Sequence, residues 1–520
     1  MKIKYLLILA IIFFSAKSFP QIGPEIYSLK ESKNYLSKTN SSNPVSNGIS
    51  DIITIGDTVW LGTSRGVSVS FDRGQNWTNF YGQEPFGTDN ITALGYNNGV
   101  VWAATHITRE ILGEDIDVGT GLKYTTDNGA SWTAIPQPVD NLADSIVIYG
   151  INSLRALPVN VPEQNVTYDF AFTPGAVWIT SWAGGLRRST DMGQTWQRMV
   201  LPPDDMDSIN PNDTLDFCYS NSAGNYCNVT NYNHVSFSVT AVNDSTLYVG
   251  TADGINKTTS GGDQYPAWVK FNHTNENKPI SGNFVNALAY NPKDNTIWAS
   301  TWKANDETEF YGVSSSTDGG ASWSTFLKDE RPHNFGFKEF DVIAATDNGA
   351  FRSSNGGNSW ILPNNIVDKN SGVALINTVF YCAAAEGNDI WLGSGDGLAK
   401  LTETGFWTGD WKIYFASVPV KSAADTYCYP NPFSPKLDVL KIKYSTNGES
   451  KKVTIRIFDF AMNIVKTVIQ NVDRIKTLDD APEKWDGRDE NGNIVPNGVY
   501  FYKIKFDSGD PVFGKIIVLQ

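Results

Sequence analysis

The chain has 520 residues, a formal net charge of −14, 41% hydrophobic residues and 18% charged residues. This composition excludes a disordered chain, and its acidity argues against nucleic acid or an anionic membrane as partner. The length exceeds one ordinary domain unless repeats build it.

The chain opens with MKIKYLLILAIIFFSAKS, in which Lys2 and Lys4 precede an apolar run ending at Phe14, followed by the small residues Ala16 and Ser18. This is the pattern of a secretory signal, with a cut expected after Ser18. The run is too short to span a bilayer. The expectation is signal peptide 1–18, an N-terminal segment 19–42, and an exported protein that is secreted or held at the cell surface, with no transmembrane segment.

From residue 43 two phrases alternate. One is Ser/Thr-x-Asp-x-Gly-x-x-Trp: SFDRGQNW at Ser70–Trp77, TTDNGASW at Thr125–Trp132, STDMGQTW at Ser189–Trp196 and STDGGASW at Ser316–Trp323. SSNGGNSW at Ser353–Trp360 carries Asn355 in place of Asp, and TTSGGDQYPAW at Thr258–Trp268 is a decayed copy. The other phrase is an apolar pair, then Gly/Ala-Thr/Ser, as in VWLGTSRGV from Val59, VWITSWAGGL from Val177 and IWLGSGDGL from Ile390. Short apolar runs separated by turn signals predict strands. Grouped by these phrases, the stretch 43–418 divides into seven units of roughly 53 residues, each read as four short strands. That predicts an all-β fold, a seven-bladed β-propeller. Insertions are expected at about 134–168 and 202–233, on the rim or a face.

The first phrase has the chemistry of a hairpin turn. Asp or Asn accepts hydrogen bonds from backbone N–H groups ahead of it, Gly permits positive φ, and Trp buries a large ring against a neighbour. It resembles the Asp-box (BNR) repeat of sialidases, xyloglucanase-type hydrolases, sortilin-type receptors and photosystem II assembly-factor propellers. The resemblance implies that the boxes lie on the blade periphery. Asp72, Trp77, Asp127, Trp132, Asp191, Trp196, Asp318, Trp323, Asn355 and Trp360 are therefore expected to be structural.

Function is then expected at the opposite end, on the loops between second and third strands. These supply Arg65, His106, Arg109, Trp182, Asp253, Trp302, Lys303, Asp347 and Asp396 as ligand-binding candidates. An exposed Trp182 or Trp302 would suit stacking on a sugar or gripping a peptide. Two of the loops are acidic, with Glu114, Asp115 and Asp117 on one and Asp306, Glu307 and Glu309 on the other. A glycoside hydrolase needs two carboxylates about 5–10 Å apart, and the catalytic residues of such an enzyme stay unassigned. The arginine set of sialidases is missing, and xyloglucanase-type enzymes use two propellers. His106, His234, His273 and His333 show no metal-ligand spacing, and no nucleophile or phosphate-loop motif occurs, so neither metal nor cofactor is expected.

Cys218 and Cys227 are expected to form a disulfide stapling an insertion. Cys382 and Cys428 either form a second bridge between modules or remain two buried thiols. A linker is expected at 419–428. Beyond it, VLKIKYST, KKVTIRIFDF and GVYFYKIKF alternate with period two, which predicts a β-sandwich over 429–520. WDGRDENGNIVPNGVYFYKI from Trp485 resembles the FlgD-like immunoglobulin-like domain, and YPNPF from Tyr429 resembles C-terminal sorting domains of type IX secretion. The resemblance implies sorting or attachment through that machinery; a purely structural cap is the alternative. Asp486, Asp489 and Asn491 are read as a turn rather than a calcium loop. The function expected is a non-catalytic propeller binding a glycan or protein ligand at the cell surface, with a carbohydrate-active hydrolase as the alternative.

Overall fold

The computed structural model describes residues 40–222, 227–370, 373–375, 377–416, 426–446, 449–476, 482–509 and 511–520. The expected signal peptide and most of the N-terminal segment and linker lie outside them. No α-helix forms among the described residues, and the fold is all-β. Among the described residues, seven of the sheets, all antiparallel, follow one another from Asn40 to Tyr414. Their first strands are Ile49–Ile55, Asn90–Asn97, Thr167–Thr173, Ser236–Ala241, Phe284–Asn291, Pro332–Lys338 and Phe380–Glu386. Each packs on the next, and the last packs on the first, so the sheets close a ring around an axis: a β-propeller. They are numbered sheet 1 to sheet 7 in chain order.

Sequence pattern explains the ring. The Trp of each VW phrase lies on a second strand, sandwiched between neighbouring sheets; Trp60, Trp102, Trp178, Trp298 and Trp391 are at most 2% exposed. The box phrase joins third to fourth strands. In sheet 2, Asp127 Oδ1 accepts from Thr125 Oγ1 and the Ser131 amide at 2.8 Å each, and Asp127 Oδ2 accepts from Ser131 Oγ at 2.6 Å. Gly129 donates its amide to Thr125 Oγ1 at 2.9 Å. The same set recurs at Asp191 and Asp318, and at Asn355 with the last bond reversed, Nδ2 donating to Ser359 Oγ. Asp72 uses Asn76 in the place of Ser131.

Each box Trp then reaches back to the preceding sheet. Trp132 meets Trp60 edge-on at 5.9 Å, Trp360 meets Trp298 at 6.0 Å, and Trp77 meets Trp391 at 6.2 Å across the join of sheets 1 and 7. Such aromatic pairs add to the burial of both rings. Trp268, in the decayed copy, is 1% exposed and shares a core with Trp178. Arg73 adds an ion pair to Asp389 of sheet 7 at 2.7 Å.

Asn40–Ser41 pairs with the outermost strand of sheet 1, so the sheet reaches upstream of residue 43. The insertions form a small sheet of Ile146–Tyr149, Asn152–Ala156 and Cys218–Tyr219, and Cys218 is bonded to Cys227. A second bridge does not form: Cys382 and Cys428 are both free thiols. They belong to different cores. Cys382 is packed at the seam of sheets 7 and 1 with Sγ 3.8 Å from the Ile49 carbonyl, whereas Cys428 turns its Sγ to the Lys515 carbonyl.

From Tyr427 a three-stranded and a four-stranded sheet enclose their own core, built on Phe433, Ile442, Ile455, Trp485 and Tyr502 among others. Asp489 accepts amides of Asn491 and Asn493, and Asp486 accepts that of Arg488, so these side chains close a turn.

Candidate functional site

The two ends of the ring differ. Arg73 of the first box donates its amide to Asp57, placing the box beside the first-to-second turn. Ser64, in the second-to-third loop, donates to Gly48 at the start of the inner strand. The second-to-third loops therefore surround the opposite mouth of the axis.

Several sequence candidates are not free at that mouth. Trp302 ends a strand and is 5% exposed; its Nε1 donates to Ser300 Oγ at 3.1 Å and to the Pro332 carbonyl at 2.8 Å. The strand runs one residue past the Thr at which the equivalent strands of sheets 1 and 4 end. His106 and Arg109 lie in a long hairpin, Val100–Ile111 with Glu114–Thr125, and not in an open loop. His106 is fully buried, and burial pushes its pKa down to about 4. Glu114, Asp115 and Asp117 are strand residues of the same hairpin, where Asp117 accepts from Thr108 Oγ1. Arg109 pairs with Glu163 at 3.7 Å.

Asp253 is bound to buried Lys270 at 2.7 Å and Asp347 to His333 at 2.7 Å, while Asp396 pairs with Lys441 of the C-terminal sheets. Glu309 is 3% exposed and accepts the amides of Asn283, Ala304 and Asp306, so it shapes its loop. Asp306 is tied to Thr308, and Glu307 and Lys303 are exposed. Arg65 lies over Tyr81 at 5.9 Å. Trp182 is half-buried, edge-on to Phe237 at 5.6 Å, with its carbonyl held by Asn221.

The structure assembles a site that sequence reasoning missed. Every inner strand carries a register irregularity near its start, between Ile49 and Asp51, Ile91 and Ala93, Thr167 and Asp169, Ser236 and Ser238, Val285 and Ala287, Pro332 and Asn334, and Phe380 and Cys382. A bulge re-aims its extra side chain. All the bulged residues, Ser50, Thr92, Tyr168, Phe237, Asn286, His333 and Tyr381, line one axial cavity of about 300 Å³.

Their roles divide. Ser50 Oγ donates to the Ile91 carbonyl at 2.7 Å, Thr92 Oγ1 to Thr167 at 2.6 Å and Asn286 Nδ2 to Pro332 at 3.4 Å. In each case the acceptor is the residue before the bulge of the next sheet, so these are latches between sheets. The aromatic bulges instead form walls: Tyr168 packs on Phe237 at 5.8 Å, and His333 on Tyr381 at 5.3 Å.

Directly after two bulges stand carboxylates. Asp51 accepts the Ile52 amide and, from the next sheet, that of Leu94, both at 2.8 Å. Asp169 does the same with Phe170 and Val239 at 2.8 Å. The inner strand of each sheet is an edge, and these side chains satisfy its amides. Burial outweighs those hydrogen bonds, raising the Asp51 pKa to about 6 and that of Asp169 to about 8, the latter aided by the Asp51 charge. The visible signal was an Asp inside an apolar inner strand at one offset, in ISDIITI and TYDFAFT.

Between the cavity and the loop surface lies an aromatic cluster of Tyr168, Trp182, Phe237, Phe284, Trp302 and Tyr311. Arg331 lies over Tyr311 at 4.6 Å. Among the described residues no group of three or more His, Cys, Asp or Glu side chains is placed to hold a metal. No helix among them is long and apolar enough to cross a membrane.

No family model matches the chain, and no curated protein matches it. Solved structures do. The chain is similar to an ancestral GH74 enzyme at 13% identity and a TM-score of 0.50, over 92% of this chain and 64% of that one. It is similar to YCF48 bound to D1 peptide at 15% identity and a TM-score of 0.42, over 70% of this chain and 96% of that one. It is also similar to PorZ, a surface component of the type-IX secretion system of Porphyromonas gingivalis, at 14% identity and a TM-score of 0.31, over 90% of this chain and 65% of that one. The chain thus spans about two thirds of the length of the GH74 enzyme and of PorZ. At this identity the likeness to the GH74 enzyme concerns the fold, an all-β propeller.

Proposed function

We propose that the chain is an exported, secreted or surface-held protein that binds a glycan or protein ligand at the second-to-third-loop end of its propeller, without turning it over. On this reading the repeated turns are Asp-boxes. The C-terminal sheets are an immunoglobulin-like, FlgD- or sorting-type module that engages type IX secretion machinery or attaches the protein. One observation carries the binding assignment: the bulges at the start of the inner strands line an axial cavity with side chains that do not repeat from sheet to sheet, Tyr168, Phe237 and Tyr381 among them. A hydrolase reading has in its favour that Asp51 and Asp169 face one cavity. Each of their oxygens, however, already holds a main-chain amide, which suits a bracing role better than acid–base work.

The test is a glycan and peptide array probed with the full chain, Trp182→Ala and Tyr311→Ala. We expect a saturable signal that falls at least tenfold in both variants. A signal indifferent to both substitutions sinks the assignment to this end. Hydrolysis of any arrayed glycan, abolished by Asp169→Asn, would replace it with the enzyme reading.

A further inference from the structure

We propose that the axial cavity takes an organic cation, a primary ammonium or guanidinium group, held between Asp51 and Asp169 against the rings of Tyr168, Phe237 and Tyr381. The proposal deepens the binding assignment above and rests on the same end of the ring.

Three observations converge. The cavity contains two carboxylates, and no Lys or Arg is among the residues lining it. Buried charge ordinarily has a counter-charge, as Arg187 has in Asp140 at 2.8 Å, Lys270 in Asp253 at 2.7 Å and Asp389 in Arg73 at 2.7 Å; Glu309, held by three main-chain amides, departs from this as Asp51 and Asp169 do. Among the described residues Asp51 and Asp169 have main-chain amides alone as partners, one per oxygen, so each oxygen keeps a lone pair for a further donor.

The second observation concerns protons. Ser50 and Thr92 spend their hydroxyl protons on wall carbonyls, at 2.7 and 2.6 Å. On this side the lining presents oxygen lone pairs, which suit a ligand rich in donors.

The third is the aromatic wall. Ring faces attract a cation, and Tyr168, Phe237 and Tyr381 border the same space. Calcium and magnesium bind through six or more oxygen ligands, and the aromatic ring faces of this wall offer none. A volume of about 300 Å³ accommodates a side chain or a small amine. Ser50 and Tyr381 also line an apolar cleft of about 210 Å³ bordered by Tyr429, Pro430 and Leu437, which continues the cavity toward the surface.

The same chemistry is available from a free polyamine or from a basic side chain of a protein, and the experiment separates them. Calorimetric titration of the full chain uses spermidine, a blocked penta-lysine peptide, its acetylated neutral counterpart and calcium chloride. We expect saturable binding of at least one cationic amine probe and none of the acetylated peptide. Asp169→Asn and Asp51→Asn should each weaken that binding at least tenfold, each Asn keeping an acceptor for one of the two amides that the Asp holds. Tighter spermidine binding identifies a small-molecule ligand; tighter peptide binding identifies a basic side chain.

If either variant fails to fold, the wild type is titrated at pH 5.5 and pH 8, and affinity should be at least tenfold lower at the acid end. The titratable groups facing the cavity are Asp51, Asp169, His333 with its Asp347 partner, Tyr168 and Tyr381, with Cys382 behind Asp51. Protonating the carboxylates or His333 opposes a cation, so the sign is common to all. The proposal is overturned if neither amine probe saturates at millimolar concentration, if folded Asn variants bind like wild type, or if calcium binds and amines do not. In those cases an array signal that still depends on Trp182 and Tyr311 leaves the broader binding assignment standing.

Discussion

At the scale of single residues, the box turn shows why Gly is required. Gly129 has φ +84°, and a Cβ there would lie 2.7 Å from Cζ of Phe80 in the preceding sheet. Gly99 has nearly the same φ, +83°, and a Cβ there would meet nothing within 4 Å. The pair separates backbone strain from steric overlap. Gly99→Ala should cost about 1 kcal/mol, the price of a left-handed L-residue. Gly129→Ala should cost about 2–4 kcal/mol, because overpacking adds to it. Denaturant midpoints of the two variants check this; equal losses would mean that the ring contact is irrelevant. The role of this Gly was legible in the sequence because turn chemistry is local. The environment of Trp302 was not, since its ring is covered by the Pro332 carbonyl of the next sheet, 30 positions along the chain.

At the scale of elements, adjacent inner strands are joined by side chains rather than by a ladder, and this makes their contact pH-dependent. An unfolded Asp titrates near 3.9, whereas folded Asp51 titrates at about 6 and Asp169 at about 8. Below pH 4 both are protonated in either state. Between pH 4 and 8 the folded chain holds protons that the unfolded chain has lost, so stability falls as pH rises through about 6 and then about 8.

The box carboxylates act with the opposite sign. Asp127 is held down to about 2 by hydrogen bonds from Ser131 and Thr125. Its contribution is complete above pH 4 and is lost as pH falls toward 2. Denaturant titrations of the full chain should therefore show greatest stability near pH 4–5, where the box carboxylates are ionised and the loss at Asp51 and Asp169 has only begun. They should show a loss of about 1–3 kcal/mol by pH 9, moderated by water in the cavity. Asp169→Asn should flatten the upper part of that slope, and an unchanged slope would assign the pH dependence elsewhere. Strand order and ring architecture were legible from the alternating phrases. The bulges were not, because an extra residue in a strand leaves no mark in a period-two pattern until register is seen.

At the scale of the whole molecule, the cores show which parts depend on one another. The ring closes between sheets 1 and 7 through Trp77 with Trp391 and Tyr414, Arg73 with Asp389, and Asn47 Oδ1 with the Ala416 amide at 2.6 Å. All of these residues precede 417, and the C-terminal core includes no propeller residue. Among the described residues the contacts between the two parts include Lys441 with Asp396, Lys441 over Phe415 at 4.6 Å, Lys484 over the same ring at 5.8 Å and Lys484 with the Ala374 carbonyl. Lys441 is 1% exposed, and burial together with Lys484 lowers its pKa. Separating the parts would return this cation to water, which offsets the lost ion pair.

A chain ending at residue 425 should therefore fold and unfold cooperatively, with a melting temperature within about 5 °C of the propeller transition in the full chain. Calorimetry of the two chains checks this. On the proposed reading the shortened chain should also fail to be sorted or retained at the surface, which fractionation of an exporting host measures. A shortened chain that aggregates would show that the ring needs its C-terminal partner to fold. One that folds and is sorted normally would leave residues 429–520 with a structural role alone.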